Sequence, residues 1–256
     1  DGATTTMPLV DALRLAQGDG ESSHALSIGG LTATGWVKEL LESTTGTETL
    51  PELSQPPKFE GQLRPYQLTG LRWLSFLSRF GIGACLADDM GLGKTVQTLA
   101  HLLFEKQRLE KNHKGKKGQI KKPSLILAPT SLMGNWRREA EQFTPDLSVL
   151  VLHGPDRKSL FEQVDQYDLV LTTYPLLVRD QEFLAKQDFH YLVLDEAQVI
   201  KNPKAKAAVI ARDIKARHRL CLTGTPMENH LGELWALFDF LMPGFLREAR
   251  HFKQIF

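Results

Sequence analysis

From Leu63 onward the chain switches repeatedly between two hydrophobic spacings. Leu63-Arg64-Pro65-Tyr66-Gln67 leads into a segment where Trp73, Leu74, Leu77 and Phe80 recur every three or four residues, which predicts a helix ending at Gly81. Ala84-Cys85-Leu86-Ala87 is a continuous apolar run, hence a short buried strand. Val96, Leu99, Leu102 and Leu103 mark the inward face of the next helix. Further strands are predicted over 124–128, 148–152, 168–172, 191–194 and 219–222. A short helix separates 148–152 from 168–172. Leu132, Trp136, Ala140 and Phe143 form another helix face, and helices are predicted over 205–216 and 232–241. Short, almost wholly apolar strands alternating with helices predict an α/β fold: a mostly parallel sheet covered on both faces, and so three layers. Ligands of such sheets sit beyond the carboxyl ends of the strands.

The first 60 residues lack this pattern. Residues 35–42 predict a short amphipathic helix with Trp36, Leu40 and Leu41 on one side, and 43–59 is a linker-like stretch rich in Thr, Pro and Glu. The expected organisation is a tail of an upstream domain plus connector over 1–60, the α/β domain over 61–246, and the start of an onward connection over 247–256. The chain begins Asp1-Gly2-Ala3 without an initiator Met, so a piece of a longer protein is expected.

Composition adds constraints rather than identity. Lys and Arg number 31 against 30 Asp and Glu, a net charge of +1, so any nucleic-acid affinity must come from local patches. Cys85 and Cys221 sit far apart in apolar runs without metal-ligand spacing and read as small buried hydrophobes, which fits a reducing cytoplasm. The eight histidines form no metal-like pair, and no apolar run is long enough to span a bilayer. The basic stretch 111–122 follows a helix and precedes a strand, so it is expected at the amino ends of the strands as a solvated loop.

Chemistry enters at Asp88-Asp89-Met90-Gly91-Leu92-Gly93-Lys94-Thr95, directly after the 84–87 strand. Glycines let the backbone turn its N–H groups inward, a helix start adds partial positive charge, and Lys94 and Thr95 offer an ammonium for phosphates and a hydroxyl for Mg²⁺. The pattern departs from G-x-x-x-x-G-K-[ST] at its first position, where Asp88 stands. Roughly a hundred residues later, Tyr191-Leu192-Val193-Leu194 delivers Asp195 and Glu196. Once a phosphate loop is present, Asp195 suits the Mg²⁺ and Glu196 suits orienting and deprotonating the attacking water.

Asp195-Glu196-Ala197-Gln198 resembles a DEAD/DEAH box in a DEAQ form. With the phosphate loop it makes residues 63–246 similar to helicase superfamily two, and within it to the Swi/Snf-type DNA translocases, where Asp typically replaces the first glycine of the loop. The resemblance implies a RecA-like P-loop lobe that binds ATP and Mg²⁺. It implies nucleotide contacts from Asp89, Met90, Gly91, Leu92, Gly93, Lys94, Thr95 and Gln198, with Gln67 reading adenine, as a glutamine amide that donates and accepts can. Ala128-Pro129-Thr130-Ser131-Leu132 with Asn135, and Leu171-Thr172-Thr173-Tyr174, resemble segments facing the DNA backbone; Pro129, Thr130, Asn135, Thr172, Thr173 and Tyr174 are the implied contacts. Trp136 lies on the apolar face of its helix and reads as core rather than as a base-stacking platform. Leu222-Thr223-Gly224-Thr225-Pro226, with Glu228-Asn229 and the Leu231–Trp235 stretch, resembles the segment coupling the phosphate site to lobe movement, through Thr223, Gly224 and Thr225.

The implied activity is that of a DNA-dependent ATPase moving on double-stranded DNA. Nothing after Pro226 resembles the arginine motif of the family's second RecA-like lobe, which would supply the transition-state arginines, so the isolated chain would turn over slowly. A DNA-bound protein is among the objects such a motor could move. The expected location is a bacterial, nucleoid-associated cytoplasmic one. Two alternatives stay open on the residues: an RNA helicase or restriction-type translocase of the same superfamily, and a nucleotide-gated DNA-binding module. Ile200-Lys201-Asn202-Pro203 and Glu233-Leu234-Trp235 weigh against the first. Glu196 weighs against the second, because a binder has no need of a base.

Overall fold

The computed structural model describes residues 52–112, 122–228 and 231–255. The candidate helix at 35–42, the centre of the basic stretch 111–122 and Asn229 lie outside them. The described residues form a six-stranded sheet: β1 (Ala84–Leu86), β2 (Ser124–Leu127), β3 (Val149–Val151), β4 (Leu169–Thr172), β5 (Asp188–Asp195) and β6 (Lys215–Leu222), in the order β1-β6-β5-β2-β4-β3. Every neighbouring pair is parallel. The helices are α1 (Pro65–Arg79), α2 (Lys94–Asn112), α3 (Met133–Phe143), α4 (Tyr174–Arg179), α5 (Gln181–Leu184), α6 (Lys206–Asp213), α7 (Leu231–Leu241) and α8 (Ala249–Ile255).

Strand pleating sorts the apolar side chains into two cores. Ile126, Val193, Leu220 and Leu222 point to one face, packed by Leu71 of α1, Leu99 and Leu103 of α2 and Trp136 of α3. Leu125, Leu127, Leu192, Leu194 and Cys221 point to the other, packed by Leu177 of α4, Ala211 of α6 and Leu237 and Phe240 of α7. Because both faces are covered, no strand needs a polar side, which is why the strands read as apolar runs. The three layers expected from the sequence are present.

Three boundaries differ. Helix α6 stops at Asp213, and Lys215 and Ala216, expected as helix, open β6 instead. There Asp188 faces Lys215 and Phe189 faces Ala216, so β5 starts earlier as well. Charged residues at this exposed foot hid a two-residue alternation. Between β3 and β4 the connector is a 3₁₀ run, Pro155–Gln166, entered through Gly154 at φ 86°. Before residue 61 the chain already packs on the domain: Phe59 is buried and stacks on Phe143 with ring centroids 5.8 Å apart, and Glu60 N–H donates to the Phe143 carbonyl.

A buried polar network fills the space between α1, α2 and the feet of β5 and β6. Ser75 Oγ meets His101 Nδ1, His101 Nε2 meets the Tyr191 hydroxyl at 2.7 Å, and Arg108 Nη2 donates to Glu105 Oε2 at 2.6 Å. Burial holds the His101 and His218 imidazoles down at about 4. In the unfolded chain both titrate near 6.5, so on acidification the unfolded state takes up the protons first. Stability is therefore full above about pH 6.5 and falls toward pH 4, by up to about 1.4 kcal/mol per pH unit for each histidine. Thermal melts between pH 8 and 4.5 should show this decline, and His218→Gln should make it shallower. A flat profile would mean that neither histidine is desolvated.

Candidate nucleotide site

The strand order decides what meets at the carboxyl edge. With β6 between β1 and β5, the loops after Leu86, Asp195 and Leu222 become neighbours although they lie far apart in sequence. Thr223 N–H donates to the Leu86 carbonyl, tying the last of these loops to the first strand.

The phosphate loop leaves β1 and turns through Gly91 at φ 83° and Gly93 at φ 75° into α2, whose first residue is Lys94. A Cβ at Gly93 would stand 2.6 Å from Gln67 Nε2, whereas one at Gly91 would meet nothing. Lys94 Nζ donates to the carbonyls of Asp88 at 2.6 Å and Asp89 at 3.1 Å. Among the described residues no carboxylate forms an ion pair with it, and the 19-residue α2 adds its N-terminal partial charge, so the loop suits a polyphosphate. Asp88, the departure from the glycine pattern, accepts a 2.8 Å hydrogen bond from the buried Gln97 amide and so fastens the loop to α2. Sequence reasoning did not find Gln97. Its neighbour Gly70 is a sign, because a Cβ there would sit 2.0 Å from Gln97 Oε1.

Asp195 ends β5, 6 % exposed. Its Oδ2 accepts from Trp136 Nε1 at 2.7 Å, its Oδ1 from Glu196 N–H at 3.0 Å, and its main-chain oxygen from the Tyr174 hydroxyl at 2.6 Å. Burial pushes its carboxyl above the ordinary value; the Trp136 bond and the Lys94 charge oppose this, and Glu196 adds to it. The hard oxygens of Thr95 and Asp195 fit Mg²⁺ by donor chemistry.

Glu196 sits at φ 50°, ψ 55°, a left-handed conformation unusual for a residue with a Cβ. Its Oε2 accepts from Gln198 Nε2 at 2.6 Å; Gln198 Oε1 accepts from Thr223 Oγ1 at 3.0 Å; Thr223 Oγ1 accepts from Thr225 N–H at 3.1 Å. Gln198, expected to touch the nucleotide, spends its amide linking Glu196 to the Thr223–Thr225 loop. Gly224 passes 3.3 Å, measured from a built Cβ, beside the Met90 side chain. Lys201 is paired with Glu228 at 3.1 Å and Glu233 at 3.3 Å, a further tie between the segments after β5 and β6.

The other expected residues divide. Gln67 lies against the loop, donating to the Leu92 carbonyl at 3.3 Å, while its Oε1 accepts from Arg64 N–H and so caps α1. It is both a helix-start residue and a loop neighbour. Pro129 and Asn135 are partly exposed and Thr130 is exposed, where a duplex can reach them. Thr172, Thr173 and Tyr174 are buried, with Thr172 Oγ1 donating to the Leu152 carbonyl and the Tyr174 hydroxyl committed to Asp195. Their side chains are therefore corrected from DNA contacts to internal braces. Trp136 is core, as expected, but its indole N–H has a partner that periodicity does not report. Among the described residues one cluster has metal-like donors, Glu105, His190 and His218, with ligand atoms within 4.8 Å of one another. It lies at the opposite end of the sheet, and Arg108 already supplies Glu105 with a cation.

A family model, the SNF2-related domain, matches residues 66–256. A putative ATP-dependent helicase/translocase of Bacillus subtilis, YwqA, is 46% identical over 221 residues, covering 85% of this chain and 23% of that protein. The TATA-binding protein-associated factor MOT1 of Saccharomyces cerevisiae is 42% identical over 206 residues, 78% of this chain and 11% of that protein. The chain thus spans about a quarter or less of these relatives. Among solved structures, the Sulfolobus solfataricus SWI2/SNF2 ATPase core in complex with dsDNA matches with a TM-score of 0.71 and 40% identity, over 80% of this chain and 41% of that one.

Two substitutions test the cradle. Lys94→Ala should weaken ATP binding about tenfold or more by removing a charge-assisted contact; unchanged affinity in a fluorescent-nucleotide titration would refute the assignment. Gly93→Ala combines left-handed strain of about 1–2 kcal/mol with displacement of Gln67, so in denaturant melts it should cost more than Gly91→Ala. Equal costs would contradict the close approach of Gln67.

Proposed function

The chain belongs to the SNF2-related family, and from that premise we propose that it is the ATP-binding first lobe of a motor that hydrolyses ATP to move along double-stranded DNA. The observation that carries the reading is the relay Glu196–Gln198–Thr223 beside the phosphate loop. A base held in a left-handed backbone and fastened to a second loop is built for turnover, not for nucleotide binding alone.

In this reading the polyphosphate lies over Gly91–Thr95, where loop N–H groups and Lys94 hold it. Lys94 leaves the Asp88 and Asp89 carbonyls and turns its ammonium to the outer phosphates. Glu196 orients a water in line with the terminal phosphorus and takes its proton as the bond to the bridging oxygen breaks. Mg²⁺, held by Thr95 and Asp195, would neutralise phosphate charge. Gln198 reports the state of Glu196 to Thr223 and Thr225, and so to a second lobe. That lobe, within the same parent protein, supplies the arginines for the transition state, a contribution of roughly a thousandfold or more in related systems.

The relatives' own descriptions support the DNA side: one is a putative helicase/translocase, and the archaeal core is in complex with dsDNA. MOT1 is described as TATA-binding protein-associated, and a DNA-bound protein as the object moved is part of this proposal. Residues such as Thr130 and Asn135 would meet backbone phosphates, so affinity should depend on salt and hardly on base sequence.

The test is ATP hydrolysis by the full-length protein with duplex DNA, with duplex RNA and with neither. Duplex DNA should stimulate most. Glu196→Gln should keep nucleotide binding while lowering turnover by about 100-fold or more. Normal turnover in that variant would overturn the role of Glu196, and preferential stimulation by RNA would overturn the DNA assignment.

A further inference from the structure

Two aromatic residues converge on Asp195 from opposite faces of the sheet. Trp136, 1 % exposed, belongs to the core under α1, α2 and α3, and Tyr174, 5 % exposed, to the core under α4, α6 and α7. One donates to a carboxylate oxygen of Asp195 and the other to its main-chain carbonyl. Each is sequence neighbour to an element at the carboxyl edge. Trp136 follows Asn135 on α3, which is preceded by the exposed Thr130, and Tyr174 opens α4 directly after Thr173.

Burial explains why an aromatic stands at each place, but not why it carries a polar tip. Phe would fill the space of Tyr174, and packing alone asks nothing polar of Trp136. A buried indole N–H or phenol O–H needs a partner, and here both find it in the residue that the proposed function gives to Mg²⁺. Hydrogen bonds of 2.6 and 2.7 Å weaken steeply with distance and angle. A displacement of α3 by a fraction of an ångström is therefore felt by the Asp195 carboxylate directly, and one of α4 by the strand end that carries it.

Resting on that reading, we infer that Trp136 and Tyr174 are positioning residues that set the orientation of Asp195 for Mg²⁺–nucleotide, with Trp136 passing on contact of the α3 edge with a DNA backbone. Trp136 fixes the carboxylate itself. Tyr174 fixes the strand end that carries it. The two hold Asp195 between the two layers of helices, so neither layer shifts against the sheet without moving it. Outer-sphere partners of this kind tune metal affinity without touching the metal.

The experiment uses the full-length protein and two variants: Tyr174→Phe, which keeps the ring and removes the donor, and Trp136→Phe, which removes the donor together with part of the ring volume. Binding of a fluorescent ADP analogue is titrated with and without Mg²⁺, and ATP hydrolysis is compared with and without duplex DNA. Trp136→Phe should lose about tenfold of the Mg²⁺-dependent part of nucleotide affinity and leave metal-free binding unchanged. Its stimulation by DNA should fall by a similar factor. Tyr174→Phe should act in the same direction with a smaller loss, and it decides the matter if Trp136→Phe does not fold. Variants that bind Mg²⁺–nucleotide and respond to DNA as the wild type does, with only a lower melting temperature, would overturn the inference and leave both residues as core packing. Wild-type protein indifferent to duplex DNA would instead overturn the functional reading, and the Mg²⁺ titration would still decide whether the two residues position Asp195.

Discussion

The structure turns on one buried carboxylate. Asp195 ends a strand whose seven residues before it and including it are buried from Phe189 on, and a carboxylate in that place must be hydrogen-bonded or it is not tolerated. Three donors meet the demand: the Trp136 indole, the Glu196 amide and, on the main chain, the Tyr174 hydroxyl. Much of the carboxyl edge follows from this. Glu196 is placed by the turn that brings its own N–H back to Asp195. Gln198 then reaches Glu196, and Thr223 reaches Gln198.

Topology makes this chain of contacts possible. Inserting β6 between β1 and β5 sets the loop after Leu222 between the phosphate loop and the acidic pair. A threonine at that point can bond to either side, and Thr223 does both: its N–H to Leu86 and its hydroxyl to Gln198. In the proposed motor, this loop would sense the state of the nucleotide through Gln198 and Glu196. The polar network at the far end, with Glu105, His101 and Tyr191, serves a different need. It satisfies polar groups where α2 crosses the feet of β5 and β6.

Much of this was legible in the chain. Apolar runs such as 124–127 and 191–194 gave away a sheet buried on both faces, and the loop at 88–95 with Asp195 and Glu196 marked the carboxyl edge where the structure gathers them. What escaped was what spacing does not encode. The foot of β6 looked helical because Lys215 and Arg217 break the apolar run there, although pairing with β5 selects a strand. Gln198 read as a ligand contact because sequence shows its type and not its hydrogen-bond partners. The resemblance of its segment implies an outward Tyr174, yet the first turn of α4 places its ring in the core. For Trp136, periodicity correctly gave burial and was silent on the indole N–H, since a helical face says nothing of what lies across from it.

The central proposal is that the site converts ATP hydrolysis into movement on duplex DNA, and the family resemblance implies that the strands are not parted. Displacement of a third strand from a DNA triplex by the full-length protein tests it most directly. The account predicts ATP-dependent release of the third strand from a triplex with a duplex flank, abolished in Glu196→Gln, while the underlying duplex stays paired. ATP hydrolysis without third-strand release, or release accompanied by separated duplex strands, would contradict it.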